Sequence, residues 1–236
     1  HIWTGCHARD SLILMYNGLK KKVQNITEGE YLMGPDGTKR EVKKLVRGRD
    51  LMYKITPRYG KSFIVNGGHI LFLRNNWTNE NIEISVKDYI SKYNFSKEFV
   101  LVRVGIDYDG IECSKDIKYP SILDRSNELK NSLHLNGEKI NKNTYKILIT
   151  NKKKIDRIKD MSNSLGYHYN YINNELYVYV PDEFNDIGII NTFEVSLEDK
   201  GNYYGFTLDK DHLYLDGEYI IHHNCGGNGK SKIIEL

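Results

Sequence analysis

The chain has 236 residues, 39% hydrophobic and 28% charged, which suits one globular domain or one domain with an insert. Basic residues number 34 against 31 acidic ones, so the formal net charge of +3 is too balanced to argue for nucleic acid. Cys6, Cys113 and Cys225 have no framework spacing, and no apolar run reaches ~18 residues; both facts disfavour secretion and membrane spanning and predict a reducing, cytoplasmic setting.

The first hundred residues read as β. Short apolar runs are separated by turn signals at Asn17-Gly18, Asp36-Gly37 and Asn66-Gly67-Gly68. SLILM (11–15), LMYKI (51–55), SFIV (62–65), HILFL (69–73) and FVLVRVGI (99–106) predict strands. From about 109 to 188 the pattern changes. TYKILIT (144–150) predicts a strand. Asn151 is placed to cap a helix with Ile155, Ile158, Met161 and Leu165 on one face and Gly166 as its stop. YHYNYINNELYVYV (167–180) predicts a hairpin turning at Asn173-Asn174. This α/β stretch interrupts the β text as an inserted domain would. The β pattern resumes in NTFEVSL (191–197), YYGFTL (203–208) and HLYLDGEYIIHHN (212–224).

The last of these runs ends in HHNC (222–225), which sets imidazole, amide and thiol on consecutive residues. Read residues 1–5, HIWTG, directly against residues 225–236. Gly5, Cys225, Gly226, Gly227, Asn228, Gly229, Lys230 and Ser231 then spell G-x-x-x-x-G-K-S. That is a phosphate-binding loop, preceded by a short apolar stretch and followed by a helix-like KIIEL. Such a loop curls consecutive backbone N–H groups around one phosphate, with the lysine on the same anion. It cannot form while residues 6–224 separate its first glycine from the rest.

These residues carry a resemblance. Cys6 to Asn224 resembles an intein of the Hedgehog/intein superfamily, of the type that begins with Cys and ends with Asn before a Cys. CHARDSLILMYNG (6–18) is similar to the family's first block. LMYKITPRYGKSFIVNGGHILFLR (51–74) is similar to its second, whose core is usually T-x-x-H. YYGFTLDKDHLYL (203–215) and DGEYIIHHNC (216–225) are similar to the last two. The resemblance implies a mainly β, horseshoe-shaped HINT fold with a small α/β insert. It divides the chain into flank 1–5, N-terminal splicing region 6–108, insert 109–188, C-terminal splicing region 189–224 and flank 225–236. Two departures stand out: Asn66 replaces the usual Thr, and Gly205 sits where an Asp is frequent.

The resemblance implies four acyl-transfer steps without cofactor or metal. Cys6 attacks the Gly5 carbonyl, and His69, aided by Asn66, serves the departing nitrogen. Cys225 takes over the thioester. Asn224 then cyclises through its side-chain amide, with His223 and His212 polarising its carbonyl. A spontaneous shift leaves a Gly5–Cys225 peptide bond. His222, one position from the family's histidine, is given a structural role, as is Cys113. The partners implied are the chain's own flanks, acting as a monomer. Their host resembles a superfamily 3 helicase-like P-loop ATPase, viral or phage, which would need ATP and Mg²⁺ once joined. A cleaving-only autoprocessing domain is the alternative; Cys225 after Asn224 favours ligation.

LKNSLHLNG (129–137) is similar to the LAGLIDADG nonapeptide of homing endonucleases, which often interrupt inteins. Its catalytic carboxylate is replaced by the Asn136 amide, which has no charge to hold a divalent ion. The insert is therefore expected to be a remnant that neither cleaves nor strongly binds DNA, against the further alternative of a residual DNA-cleaving protein.

Overall fold

Two long strands, Lys39–Pro57 and Phe193–Leu208, run antiparallel from Phe193 opposite Pro57 to Leu208 opposite Val42. This is a computed structural model that describes residues 5–93, 97–111, 121–148, 150–181, 191–224 and 233–234. Phe63–Asn66 pairs with the first long strand, bringing Asn66 opposite Met52. The two-residue strand His7–Ala8 closes the ring: His7 sits opposite Val65 on one side and Tyr204 on the other. The fold is mainly β, a HINT architecture, as the sequence resemblance implied. LMYKI accounts for only part of the first long strand. Its polar stretch, Lys43 to Asp50, becomes strand because residues 201–207 supply ladder partners from the far end of the chain.

A second sheet grows from Ile70–Asn75, which pairs with Asn81–Ser85, Phe99–Leu101 and Ile221–His223. Leu213–Leu215 extends it beyond Ile221–His223. The alternation in HILFL does what period-two patterning requires. Leu71 and Leu73 fill one core with Ile55, Val65 and Ile84, while Phe72 fills another with Leu14, Leu215 and Tyr219. Residues 233–234 pair with 81–82 at the edge of this sheet, so the helix expected of KIIEL is not formed there. Adjacent β-branched isoleucines suit an open sheet edge. A helix the sequence reading missed, Val86–Tyr93, starts where Ser85 Oγ accepts the Asp88 N–H at 3.1 Å.

The α/β segment has its own core, built on Leu129, Leu133, Ile147, Ile158, Leu176 and Val178. Its four strands run in the order Gly137–Asn141, Thr144–Ile147, Glu175–Tyr179, His168–Ile172, with helices Ile122–Asn136 and Lys152–Ser164 against them. Asn151 caps the second helix by accepting the Lys154 N–H, and Gly166 at φ 75° follows its end. Asn173 and Asn174 both take positive φ, 52° and 65°, which is what a two-residue hairpin turn demands. LKNSLHLNG is the end of the first helix plus Gly137; Asn136 is exposed and donates to Ser132 O at 3.0 Å.

This segment is fastened to the turn at 216–220. Arg103 Nε donates to Glu218 O and its Nη1 to Tyr167 O, at 2.9 and 3.0 Å. Glu218 Oε2 accepts from Asn163 Nδ2 at 2.9 Å and from the Tyr169 hydroxyl at 2.8 Å. Among the described residues no helix is long and apolar enough to cross a membrane.

Candidate active site

The ring of strands buries the first junction. Cys6 is fully buried, and its N–H donates to Asn66 Oδ1 at 2.8 Å while Asn66 N–H donates to Cys6 O at 3.0 Å. The Asn found in place of the usual Thr therefore holds the nitrogen of the Gly5–Cys6 bond. Gly5 is pressed against the next strand. A Cβ there would lie 2.6 Å from His69 Cα and 3.1 Å from both Gly68 O and Ile70 N. All three are backbone atoms, so no flexible side chain can yield. Gly5→Ala should shift the junction at a cost of roughly 1–3 kcal/mol. That is about ten- to a hundredfold on the first bond-breaking step. Cleavage by added thiol, followed by gel, measures it; an unchanged rate would mean the contact is loose in solution.

Three histidine rings, His7, His69 and His222, pack edge to face next to Cys6. His69 and His222 are 0% and 1% exposed, and His69 Nε2 lies 3.0 Å from His222 Nδ1. His7, 1% exposed, packs on both, with centroids at 5.0 Å from His69 and 4.8 Å from His222, and its Nε2 meets the Tyr214 hydroxyl at 2.6 Å. His222 arrives because Ile221–His223 pairs beside Ile70–Asn75, with His222 opposite Leu71. On its far side His222 Nε2 lies 3.2 Å from Asp216 Oδ2. Burial would raise the Asp216 carboxyl, but the His222 ring and the Ile220 N–H outweigh it and hold the group below the usual carboxylate range.

Burial, with His222 beside it, pushes His7 down to about 3. Burial, then its neighbours His7, His222 and His223, holds His69 well below 6.5. A histidine that is neutral when folded and protonated when unfolded gives stability that is complete above pH 6.5. That stability is lost as pH falls from 6.5 towards 3. For His7 alone the loss at pH 5 is about 2 kcal/mol. Urea unfolding of the inert Cys6→Ala/Asn224→Ala chain at pH 7 and pH 5 should show it, and His7→Phe should remove that share. Equal pH sensitivity in the His7→Phe chain would place the titration elsewhere.

The second junction is equally enclosed. Asn224 is 2% exposed; its N–H donates to His212 O at 2.9 Å, and its side-chain Nδ2 and Oδ1 are buried with no hydrogen-bond partner. His223 Nδ1 donates to Asn224 O at 3.0 Å, the carbonyl that a cyclising amide would attack. His212 holds a left-handed φ of 66°, unusual for a residue with a Cβ, and its ring lies 5.7 Å from that of His223. Buried polar atoms left unpaired are rare and point to chemistry.

Cys6, Asn66 and His69 thus surround one junction, and His212, His223 and Asn224 the other. The His69–His222 contact joins them. Cys225, Gly226, Gly227, Asn228, Gly229, Lys230, Ser231 and Cys113 lie outside the described residues. The sequence reading missed His7, Asp216, Tyr214 and the real place of His222. Strand alternation offered a signal for His222, since it puts residues 222 and 224 on one face. His7, His69 and His222 each offer a nitrogen within 4.8 Å of the others, a spacing a metal ion could use. Two of the three rings already spend a nitrogen on each other.

The family described as Hom_end-associated Hint matches residues 6–223. The catalytic chain of a V-type proton ATPase from Candida tropicalis is 34% identical over 96 residues, 36% of this chain; the chain spans 8% of that protein's length. Among solved structures, a DnaB intein from Synechocystis sp. PCC 6803 is 8% identical with a TM-score of 0.47, over 93% of this chain and 99% of that one. The gp41-1 intein is 12% identical with a TM-score of 0.42, over 93% and 98%.

Proposed function

Because the chain belongs to the Hom_end-associated Hint family, and so is a protein-splicing or autoprocessing element, we propose that it excises residues 6–224 and joins its two flanks. The observation that supports this reading is the 3.0 Å contact between His69, whose backbone lies against Gly5, and His222, two residues before Asn224. Cys6 Sγ attacks the Gly5 carbonyl to make a thioester. His69 serves the departing Cys6 nitrogen, whose N–H Asn66 already holds. Cys225 takes the acyl group. The Asn224 amide, unpaired beside a carbonyl bonded to His223, closes a succinimide and frees the element. The Gly5 acyl group then passes from the Cys225 sulfur to the Cys225 amino nitrogen, which leaves a peptide bond and a free thiol.

The flanks would join as G-C-G-G-N-G-K-S, a phosphate loop for an NTPase host. Gly5 would open it, Gly226, Gly227, Asn228 and Gly229 would bring backbone amides to the phosphates, Lys230 would reach the β/γ oxygens, and Ser231 would ligate Mg²⁺. The relative's name, a proton ATPase, is in keeping with that host class. Endonuclease activity is not part of the proposal, since Asn136 gives an amide where a carboxylate is needed.

The test is to express the chain between two larger tagged flanks and weigh the products. Ligated flanks plus a separate fragment of residues 6–224 support splicing. Separated flanks with no ligated product would replace it with cleavage alone.

A further inference from the structure

Leu213–Leu215 and Ile221–His223 form a hairpin with two very different ends. Its open end is the downstream junction, where Leu213 lies opposite His223 and the Asn224 N–H donates to His212 O at 2.9 Å. Its closed end is the turn at 216–220. That turn is tied within itself, since Asp216 Oδ1 accepts the N–H groups of Glu218 and Ile220, both at 2.9 Å. A turn closed in this way passes any displacement on to the strands it joins. The α/β segment holds this closed end. Glu218, with a side chain 12% exposed, accepts at one oxygen from Asn163 Nδ2 at 2.9 Å and from the Tyr169 hydroxyl at 2.8 Å.

Residues 102–106 run between the two bodies and bond to both. Val104 N–H donates to Tyr219 O at 3.1 Å, Ile221 N–H to Val102 O at 3.0 Å, and Ile106 N–H to Ser164 O at 3.0 Å. Arg103, from the same run, sends Nε to Glu218 O at 2.9 Å and Nη1 to Tyr167 O and His168 Nδ1 at 3.0 and 2.9 Å. Tyr59 stacks on the His168 ring at 5.3 Å. Domains joined in one chain usually meet through loose polar contacts and move against each other. Here the contacts converge on one turn. We infer that the α/β segment is a working part of the downstream junction, with Glu218 and Arg103 as positioning residues through which it holds the hairpin and so sets the Asn224 amide against its own carbonyl. This rests on the self-processing reading above and adds what aligns its releasing step.

The releasing step needs alignment more than any other. Asn224 Nδ2 forms a bond to the Asn224 carbonyl carbon, the bond from that carbon to the Cys225 nitrogen breaks, and a proton from Nδ2 ends on the freed amine. Neither Nδ2 nor Oδ1 has a hydrogen-bond partner to hold it. The backbone must therefore do the aiming, through His212 O and the His223 ring, and both belong to the hairpin's open end. A misplacement on the order of 1 Å costs such a reaction about a hundredfold. The upstream junction is held differently. Cys6 is bonded to Asn66, and His7 and Asn66 are paired into the ring of strands, away from the turn. Loosening the turn should thus act on one junction far more than on the other.

Two measurements on the full chain with both flanks test this. The first compares release rates in two parents: Cys6→Ala, which allows only downstream release, and Asn224→Ala, which allows only thiol-induced upstream release. Glu218→Ala should slow downstream release by at least about tenfold and upstream release by less than about twofold. Glu218→Gln keeps an acceptor and should restore most of the downstream rate. Tyr169→Phe, on the α/β segment, should slow downstream release too and add little to Glu218→Ala, since both act through one oxygen. It removes a single hydroxyl, so it carries the rate test if Glu218→Ala does not fold. An unchanged downstream rate, equal slowing at both junctions, or full additivity would overturn the inference. The second measurement needs no activity. Hydrogen exchange in the inert Cys6→Ala/Asn224→Ala chain should rise over residues 212–224 on adding Glu218→Ala or Tyr169→Phe, and stay as it was over 39–57. Unchanged exchange over 212–224 would also overturn it. If the Cys6→Ala parent releases nothing, the self-processing reading loses its releasing step, and the exchange arm still decides whether the segment holds the hairpin.

Discussion

A chain carrying Asn224→Ala is expected to stop with its downstream junction intact. Only asparagine places an amide nitrogen at five-membered-ring distance from its own carbonyl, and here that nitrogen is buried without a hydrogen-bond partner. His223 Nδ1 already donates to the carbonyl oxygen at 3.0 Å, where negative charge would develop. Alanine keeps the His223 contact and the His212 tether to the backbone N–H, but has no nucleophile. Water is a poor substitute in a site 2% exposed. The result should be complete loss of ligated product and of C-terminal release, while added thiol still frees the upstream flank. Mass spectrometry of the products decides it: ligated flanks from the Asn224→Ala chain would show that cyclisation is not the releasing step.

His69→Ala should have the next largest effect, and on the other junction. An amide nitrogen leaves badly unless it receives a proton, and a positioned donor contributes ~10²–10⁴-fold. The rate of thiol-induced N-terminal cleavage should therefore fall at least about a hundredfold. The substitution also strips His222 Nδ1 of its partner and opens a buried space, so loss of packing must be separated from loss of chemistry. Measuring C-terminal release in the same chain separates them. A folded His69→Ala protein that still cyclises at Asn224, yet no longer cleaves upstream, has lost chemistry. An N-terminal rate equal to the parent's would move the proton transfer to another group.

The parts of the site legible in the sequence were those fixed by covalent order. Cys6 after Gly5, and Asn224 before Cys225, announce themselves because each proposed reaction would act on a residue's own peptide bond. His69 was legible from its spacing to Asn66 within one strand and turn. The other contributors were not, because pairing places them. His222 enters the site through its register with Leu71, and Asp216 through a turn that bonds to itself. His7 has no sequence signal of its own, and it enters the site because Val65 and Tyr204 pair on both sides of it. The same cause explains the fold. The hairpin and the capped helix of the α/β segment were readable because their contacts are local. The long ribbon was not, since Lys43 to Asp50 owes its strand state to partners about 150 residues away in sequence.

The pairing of His7 with Tyr204 also sets an order in time. A ribosome delivers Cys6 early and Tyr204 late. At ~5–20 residues per second the interval is roughly ten to forty seconds. Throughout it the ring lacks Phe193–Leu208, the strand that pairs with His7 and Ala8, so Cys6 has neither its final backbone geometry nor the packed histidine rings beside it. A nascent chain cut during that interval would lose its upstream partner before the acceptor thiol existed. In the proposed reaction, contact topology would work as a translational timer, holding the first nucleophile idle until nearly all the machinery for the later steps has been made.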